Sequence, residues 1–110
     1  MPKPASSPTA VAAFEALVAD LADAGAVAGA LFGMRAAKLG TKVFAGLFGD
    51  ALVVRLGADE VERRIAAGEG GPFDPSGRGR PMKDWLVSAA AADAWAPLAA
   101  AALAVTAAEA

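Results

Sequence analysis

The side chains best placed to bind or react in this sequence are cations. Arg78, Arg80 and Lys83 lie in or beside a glycine- and proline-rich stretch, residues 68–81, while Arg35, Lys38 and Lys42 gather around a Gly40-Thr41 turn signal. A guanidinium presents a planar fork of N–H donors that meets a phosphate or carboxylate with two bonds at once. A loop carrying such forks is one way to hold an anion, and basic hairpins do contact phosphate backbones. A plainer reading covers the same residues. Arg80 ties the loop down through a carboxylate such as Asp74 or Asp84, Arg78 is solvated, and lysines near a sheet edge discourage edge-to-edge pairing. No exposed aromatic is interleaved among the cations, as stacking on single-stranded bases would require.

Other chemistries are excluded by what the chain lacks. It has no cysteine, histidine or tyrosine, so disulfides, thiolate metal sites, the commonest metal ligand and the commonest general base are all missing. Gly68-x-Gly-Gly and Gly77-x-Gly are not followed by Lys-Ser/Thr, so neither reads as a phosphate-binding P-loop. Asp59 and Glu60 fall on an exposed helix turn without a base or metal ligand beside them. No catalytic residue, metal site or cofactor is therefore expected. The formal net charge of −2 argues against coating nucleic acid by bulk electrostatics.

The elements that would position these residues follow from apolar spacing. Val11, Phe14, Leu17, Val18 and Leu21 form one stripe of a helix over 10–24, with Thr9 as N-cap and Gly25 as a left-handed stop. Residues 27–39 read as one strand bent at Gly33 or as two short ones. Gly49-Asp50 is a two-residue hairpin signal. Pairing Phe48 with Ala51 puts Val43, Ala45, Leu47, Leu52, Val54 and Leu56 on one apolar face, directed at the helices. The opposite face carries Phe44, Gly46, Phe48, Val53 and Arg55, with Phe44 across from Arg55 in a cation–π contact worth about 0.5–1 kcal/mol. A two-residue Gly40-Thr41 loop would set Lys38 beside Val43 on the apolar face, at a cost unless Lys38 snorkels to an edge; a bulge or a longer loop would avoid this.

A second helix spans 58–67, with Asp59–Arg63 and Glu60–Arg64 as acid-first i,i+4 pairs. Phe73 anchors the glycine-rich stretch, in a short edge strand that tolerates Pro72 and Pro75. A strand over 82–87 puts Trp85 and Val87 on one face. A last helix over 94–107 is capped by Asp93, has Pro97 in its first turn, and carries Trp95 and Leu98 on its stripe. Trp85 and Trp95 suit core packing, with an interface hot spot as the alternative.

The hydrophobic fraction of 56% includes roughly thirty alanines, so the larger side chains must supply most of the burial energy, at about 25 cal/mol per Å². They spread from Phe14 to Val105, which predicts a single domain over 9–110 behind a disordered or loosely attached lead-in, residues 1–8. Glu15, Asp20 and Asp23 interrupt any signal-peptide core, and Asp93 and Pro97 interrupt the alanine-rich stretch 89–108. A cytoplasmic protein without a membrane span is expected. The fold class that results is α+β, two-layered, with an antiparallel sheet of about five strands, helices mainly on one face and the order α-β(3)-α-β(2)-α.

Several stretches together resemble the N-terminal domain of the TfoX (Sxy) family: Phe32-Gly33-Met34; Lys42-Val43-Phe44-Ala45-Gly46-Leu47-Phe48-Gly49-Asp50; Ala66-Ala67-Gly68 with Pro72-Phe73 and Pro75; and Gly79-Arg80-Pro81-Met82-Lys83-Asp84-Trp85. The resemblance spans about residues 10–107 and implies the same α-β(3)-α-β(2)-α order. It implies similarity in topology to the MmcQ/YjbR group, often described as DNA-binding. Named TfoX proteins regulate natural competence and carry a second, C-terminal domain, whereas the resemblance here is to the first domain. The expectation that follows is a non-enzymatic regulatory or adaptor domain that binds a protein partner, a second copy of itself among the candidates. Nucleic-acid binding through the basic segments is the alternative.

Overall fold

The computed structural model describes residues 5–109. Helix α1 spans Pro8–Asp20, and its N-cap is Ser7, not Thr9: the Ser7 Oγ accepts a hydrogen bond from the Ala10 N–H at 3.1 Å. Proline's fixed φ suits the first helical position, so the cap must precede Pro8. The expected lead-in is attached where it is described. Ser6 Oγ donates to the Gly49 carbonyl at 2.6 Å, and the Ser7 N–H donates to Asp50 Oδ1 at 2.7 Å. The rest of that lead-in, residues 1–4, lies outside the described residues. Past α1, a 3-10 turn at Ala22–Ala24 ends on Gly25 in the left-handed region, φ 101°, where the sequence places a stop.

Strands β1 (Ala26–Leu31) and β2 (Met34–Leu39) form a hairpin closed by Phe32-Gly33. Both loop residues have positive φ, 51° and 77°, the pattern of a type I′ turn. The stretch 27–39 is therefore two strands, and the sheet has six strands, not five. The others are β3 (Lys42–Phe48), β4 (Ala51–Arg55), β5 (Gly70–Phe73) and β6 (Met82–Ser88), in the order β1-β2-β3-β4-β6-β5, all antiparallel. Helix α2 (Ala58–Ala66) joins β4 to β5, and α3 (Trp95–Ala108) closes the chain. No helix among the described residues is long and apolar enough to cross a membrane.

The main core lies between the helices and one sheet face. Phe14 and Leu17 of α1, Val61 of α2, and Trp95, Leu98, Ala99 and Ala102 of α3 pack on Ala45, Leu47, Leu52, Val54, Leu56 and Leu86. The β3–β4 register, Phe48 opposite Ala51 and Leu47 opposite Leu52, is the one the Gly49-Asp50 turn predicts. Two positions depart from the expected alternation. Ala37 opposes Ala45 and Lys38 opposes Val43, so Phe44 is an extra residue on β3, a bulge. The bulge reverses the facing of everything before it. Phe44 turns into the helix-side core with 0% exposure, and Val43 joins the opposite face. The Gly40-Thr41 loop keeps its two residues, and Lys38 pairs with Val43 away from the main core.

The second sheet face has its own cluster of Met34, Val53, Phe73 and Trp85, with Leu31, Val43, Phe48, Met82 and Val87 packed against it. Phe48 and Phe73 meet edge to face at 5.4 Å, an arrangement that the ring quadrupoles favour. Every strand contributes, from Leu31 on β1 to Phe73 on β5, so this cluster runs from one sheet edge to the other. At α3, Asp93 does not cap: it sits in a 3-10 turn, Ala92–Ala94, and the helix start has no side-chain cap. Trp95 is buried, and its indole N–H donates to the Ala90 carbonyl at 3.2 Å.

Candidate interaction edge

The six cations singled out in the sequence do not form one patch. Strand order places β2, with Arg35 and Lys38, three spacings from β6, with Lys83, about 14 Å along the sheet. Even on β2 the two diverge. Arg35 shares a hollow with Phe14, Glu15 and Val18 of α1, whereas the Lys38 methylenes lie across Gly29 of β1 on the other face. Lys42 turns to the end of α3, where its Nζ donates to the Glu109 backbone carbonyl at 3.3 Å. A cation there also complements the negative end of the helix dipole.

Arg55 does not stack on Phe44, which the bulge has taken to the other face. Its guanidinium instead bridges Glu109 at 2.5 Å and Asp84 at 3.5 Å. The Arg55 contact holds the Glu109 carboxyl below its ordinary range. Lys42, Arg55, Asp84 and Glu109 thus join α3 to the ends of β3, β4 and β6 with balanced charge.

The glycine-rich loop is closed by a carboxylate, but through the backbone and not through the Arg80 side chain. Asp74 Oδ1 accepts from the Ser76 hydroxyl at 2.7 Å and the Gly77 N–H at 3.1 Å; Oδ2 accepts from the N–H groups of Gly79, at 2.7 Å, and Arg80, at 3.1 Å. The Ser76 hydroxyl and then these N–H groups pull the Asp74 carboxyl below its ordinary range. The loop does build an anion cradle, and its own Asp74 occupies it. The Arg78 and Arg80 side chains make no ion pair among the described residues. Lys83 stands at the rim of an apolar groove of about 240 Å³ between α2 and β6, floored by Val61, Ile65, Met82 and Trp85. Glu62, of opposite charge, lines the same groove. Trp85 and Trp95 are 5% and 2% exposed, so both act in packing.

On α2 the ion pairs differ by one step from the expected set. Arg63 binds Glu60 through two bonds, at 3.0 and 2.6 Å, and leaves Asp59; Arg64 reaches Glu60 at 2.7 Å and Glu69 at 3.0 Å. Hydrogen bonds from Arg63, then Arg64, hold the Glu60 carboxyl at about 2.

Sequence reasoning placed Phe73 in an edge strand, as β5 is; the feature it missed is the other sheet edge, β1. A six-stranded open sheet has two edges, each with backbone donors and acceptors left unpaired. The β5 edge, Gly70-Gly71-Pro72-Phe73, is four residues long and contains a proline, which blunts strand addition. The β1 edge, Ala26-Val27-Ala28-Gly29-Ala30-Leu31, has neither charge nor proline. The large apolar side chains left exposed among the described residues are Val27, 49%, and Phe32, 59%, and both belong to this edge. The sequence did hold a signal, an uncharged run from Ala24 to Met34 between Asp23 and Arg35. Its meaning depends on strand order, which local pattern does not reveal.

Comparison with protein-family models, with curated proteins and with solved structures finds no match for this chain.

Proposed function

We propose that this domain is a non-enzymatic regulatory or adaptor module that binds protein by accepting an extended strand at its β1 edge. The asymmetry of the two edges carries the reading: one is short and holds a proline, the other is uncharged and flanked by exposed Val27 and Phe32. Main-chain hydrogen bonds at a free edge supply affinity, and neighbouring side chains supply selectivity. The resemblance to the TfoX N-terminal domain belongs to the same proposal, since it implies regulation by binding. Dispersal of the cations over two sheet faces, a helix end and a loop weighs toward a protein partner and away from a nucleic acid, whose phosphates favour clustered charge.

The test is hydrogen exchange on the full chain with proteins it captures, beside an Ala28→Pro variant. Slowed exchange of the Ala28 and Ala30 amides, with capture lost in the variant, supports the reading. Protection confined to another surface, such as the groove between α2 and β6, overturns it.

A further inference from the structure

We infer that the strand accepted at this edge is β1 of a second copy of the same chain, paired antiparallel about a two-fold axis at Gly29. The inference rests on the reading of β1 as a binding edge and names its occupant. In a hairpin closed by a two-residue loop, the pair flanking the loop exchanges both hydrogen bonds, and pairs alternate from there. Leu31 opposes Met34 in β2, so Leu31, Gly29 and Val27 bond inward, while Ala26, Ala28 and Ala30 turn their backbone groups outward. The Ala26 N–H is already given to the Leu21 carbonyl at 3.1 Å. The donors left facing outward from the strand are those of Ala28 and Ala30.

Symmetry then selects the register. Opposed residues of antiparallel strands face the same side, and a two-fold axis normal to the sheet preserves that side, so the axis must pass at a residue. An axis at Ala28 would require the Ala26 N–H. An axis at Gly29 pairs Ala28 with the partner's Ala30, and Ala30 with the partner's Ala28, using the free groups for four hydrogen bonds. Val27 then opposes the partner's Leu31, a packed apolar pair, and glycine meets glycine at the centre. Phe32 falls opposite the partner's Ala26. From Ala24 to Met34 no charge meets its own copy.

Lys38 sets the salt dependence. Its methylenes lie across Gly29, so two Lys38 ammonium groups approach the axis and repel each other through water, a term that salt screens. Self-association therefore strengthens with added salt. An acidic segment drawn to Lys38 would show the opposite sign.

Sedimentation velocity on the full chain, over a wide concentration range at low and high salt, tests this. The expected result is a monomer–dimer equilibrium favoured by concentration and by salt, with slowed exchange at the Ala28 and Ala30 amides. Ala28→Pro removes an outward N–H without touching the β2 ladder, so it should raise the dimer dissociation constant about tenfold or more. Phe32→Asn, which the turn geometry favours, guards against a variant that fails to fold and should also weaken the dimer. Lys38→Met should strengthen the dimer and flatten its salt dependence. A chain that stays monomeric throughout, or a dimer unmoved by Ala28→Pro and Phe32→Asn, overturns the inference. A monomer that still captures another protein through β1 overturns the second copy alone and leaves the binding edge standing. A monomer that captures nothing through β1 overturns both.

Discussion

Phe32 holds a backbone conformation, φ 51°, that costs a residue with a Cβ about 1–2 kcal/mol. Asparagine tolerates it well and is preferred before glycine in a type I′ turn. Phe32→Asn is expected to stabilise the isolated domain by about 1 kcal/mol, raising Tm by about 5 °C, as thermal unfolding at low concentration would measure. A side chain that is both strained and 59% exposed fits a role outside the fold's own packing. Thr106 is the converse case, buried at 1% exposure with an Oγ1 that finds no hydrogen-bond partner among the described residues. A buried orphan hydroxyl costs about 1–3 kcal/mol, and an apolar isostere removes that cost. Thr106→Val should raise the unfolding free energy by about 1 kcal/mol, read from denaturant midpoints at unchanged m. Arg78 and Arg80 were visible in the sequence as charges. That Asp74 fills the cradle beneath them was not, because four donors within seven residues converge only once the loop has folded.

The bulge in β3 decides more than any other element. Strict alternation sends Phe44 to the half-exposed face beside Arg55, where a cation–π contact is worth about 0.5–1 kcal/mol. One extra residue sends it instead beneath the helices at 0% exposure. Phe44→Ala should therefore cost about 3–5 kcal/mol, measured by equilibrium denaturation; a loss below about 1 kcal/mol would fit the exposed stacking that alternation predicts. The same shift frees Arg55 to anchor the end of α3 through Glu109. Turn chemistry was legible, since Gly49-Asp50 and Gly40-Thr41 each close two-residue loops. The bulge was foreseen only as an escape for Lys38, because period-two patterns carry no mark for the residue at which the period slips.

At the scale of the whole molecule, three surface carboxylates respond together to acid. Glu60, Asp74 and Glu109 all titrate below their ordinary ranges, through Arg63 and Arg64, through the Ser76 hydroxyl and loop N–H groups, and through Arg55. A carboxyl whose folded pKa is depressed contributes stability that is complete above its unfolded pKa and disappears as pH falls through the folded one. Tm should hold through mildly acidic pH, then decline below the ordinary carboxylate range toward about 2, the value at which Glu60 protonates. Glu60→Gln should flatten part of that decline. Composition alone removes histidine and cysteine chemistry, and apolar spacing alone yields three helices, an antiparallel sheet and the face that meets the helices, because period and turn preference are local properties of the chain. Which strands lie outermost, which face receives Phe44 and which cations come together arise from pairing between segments distant in sequence. Only the assembled open sheet leaves one edge with a proline and the other exposed at Val27 and Phe32, and hydrogen bonding between strands, not the sequence of any one strand, determines that outcome.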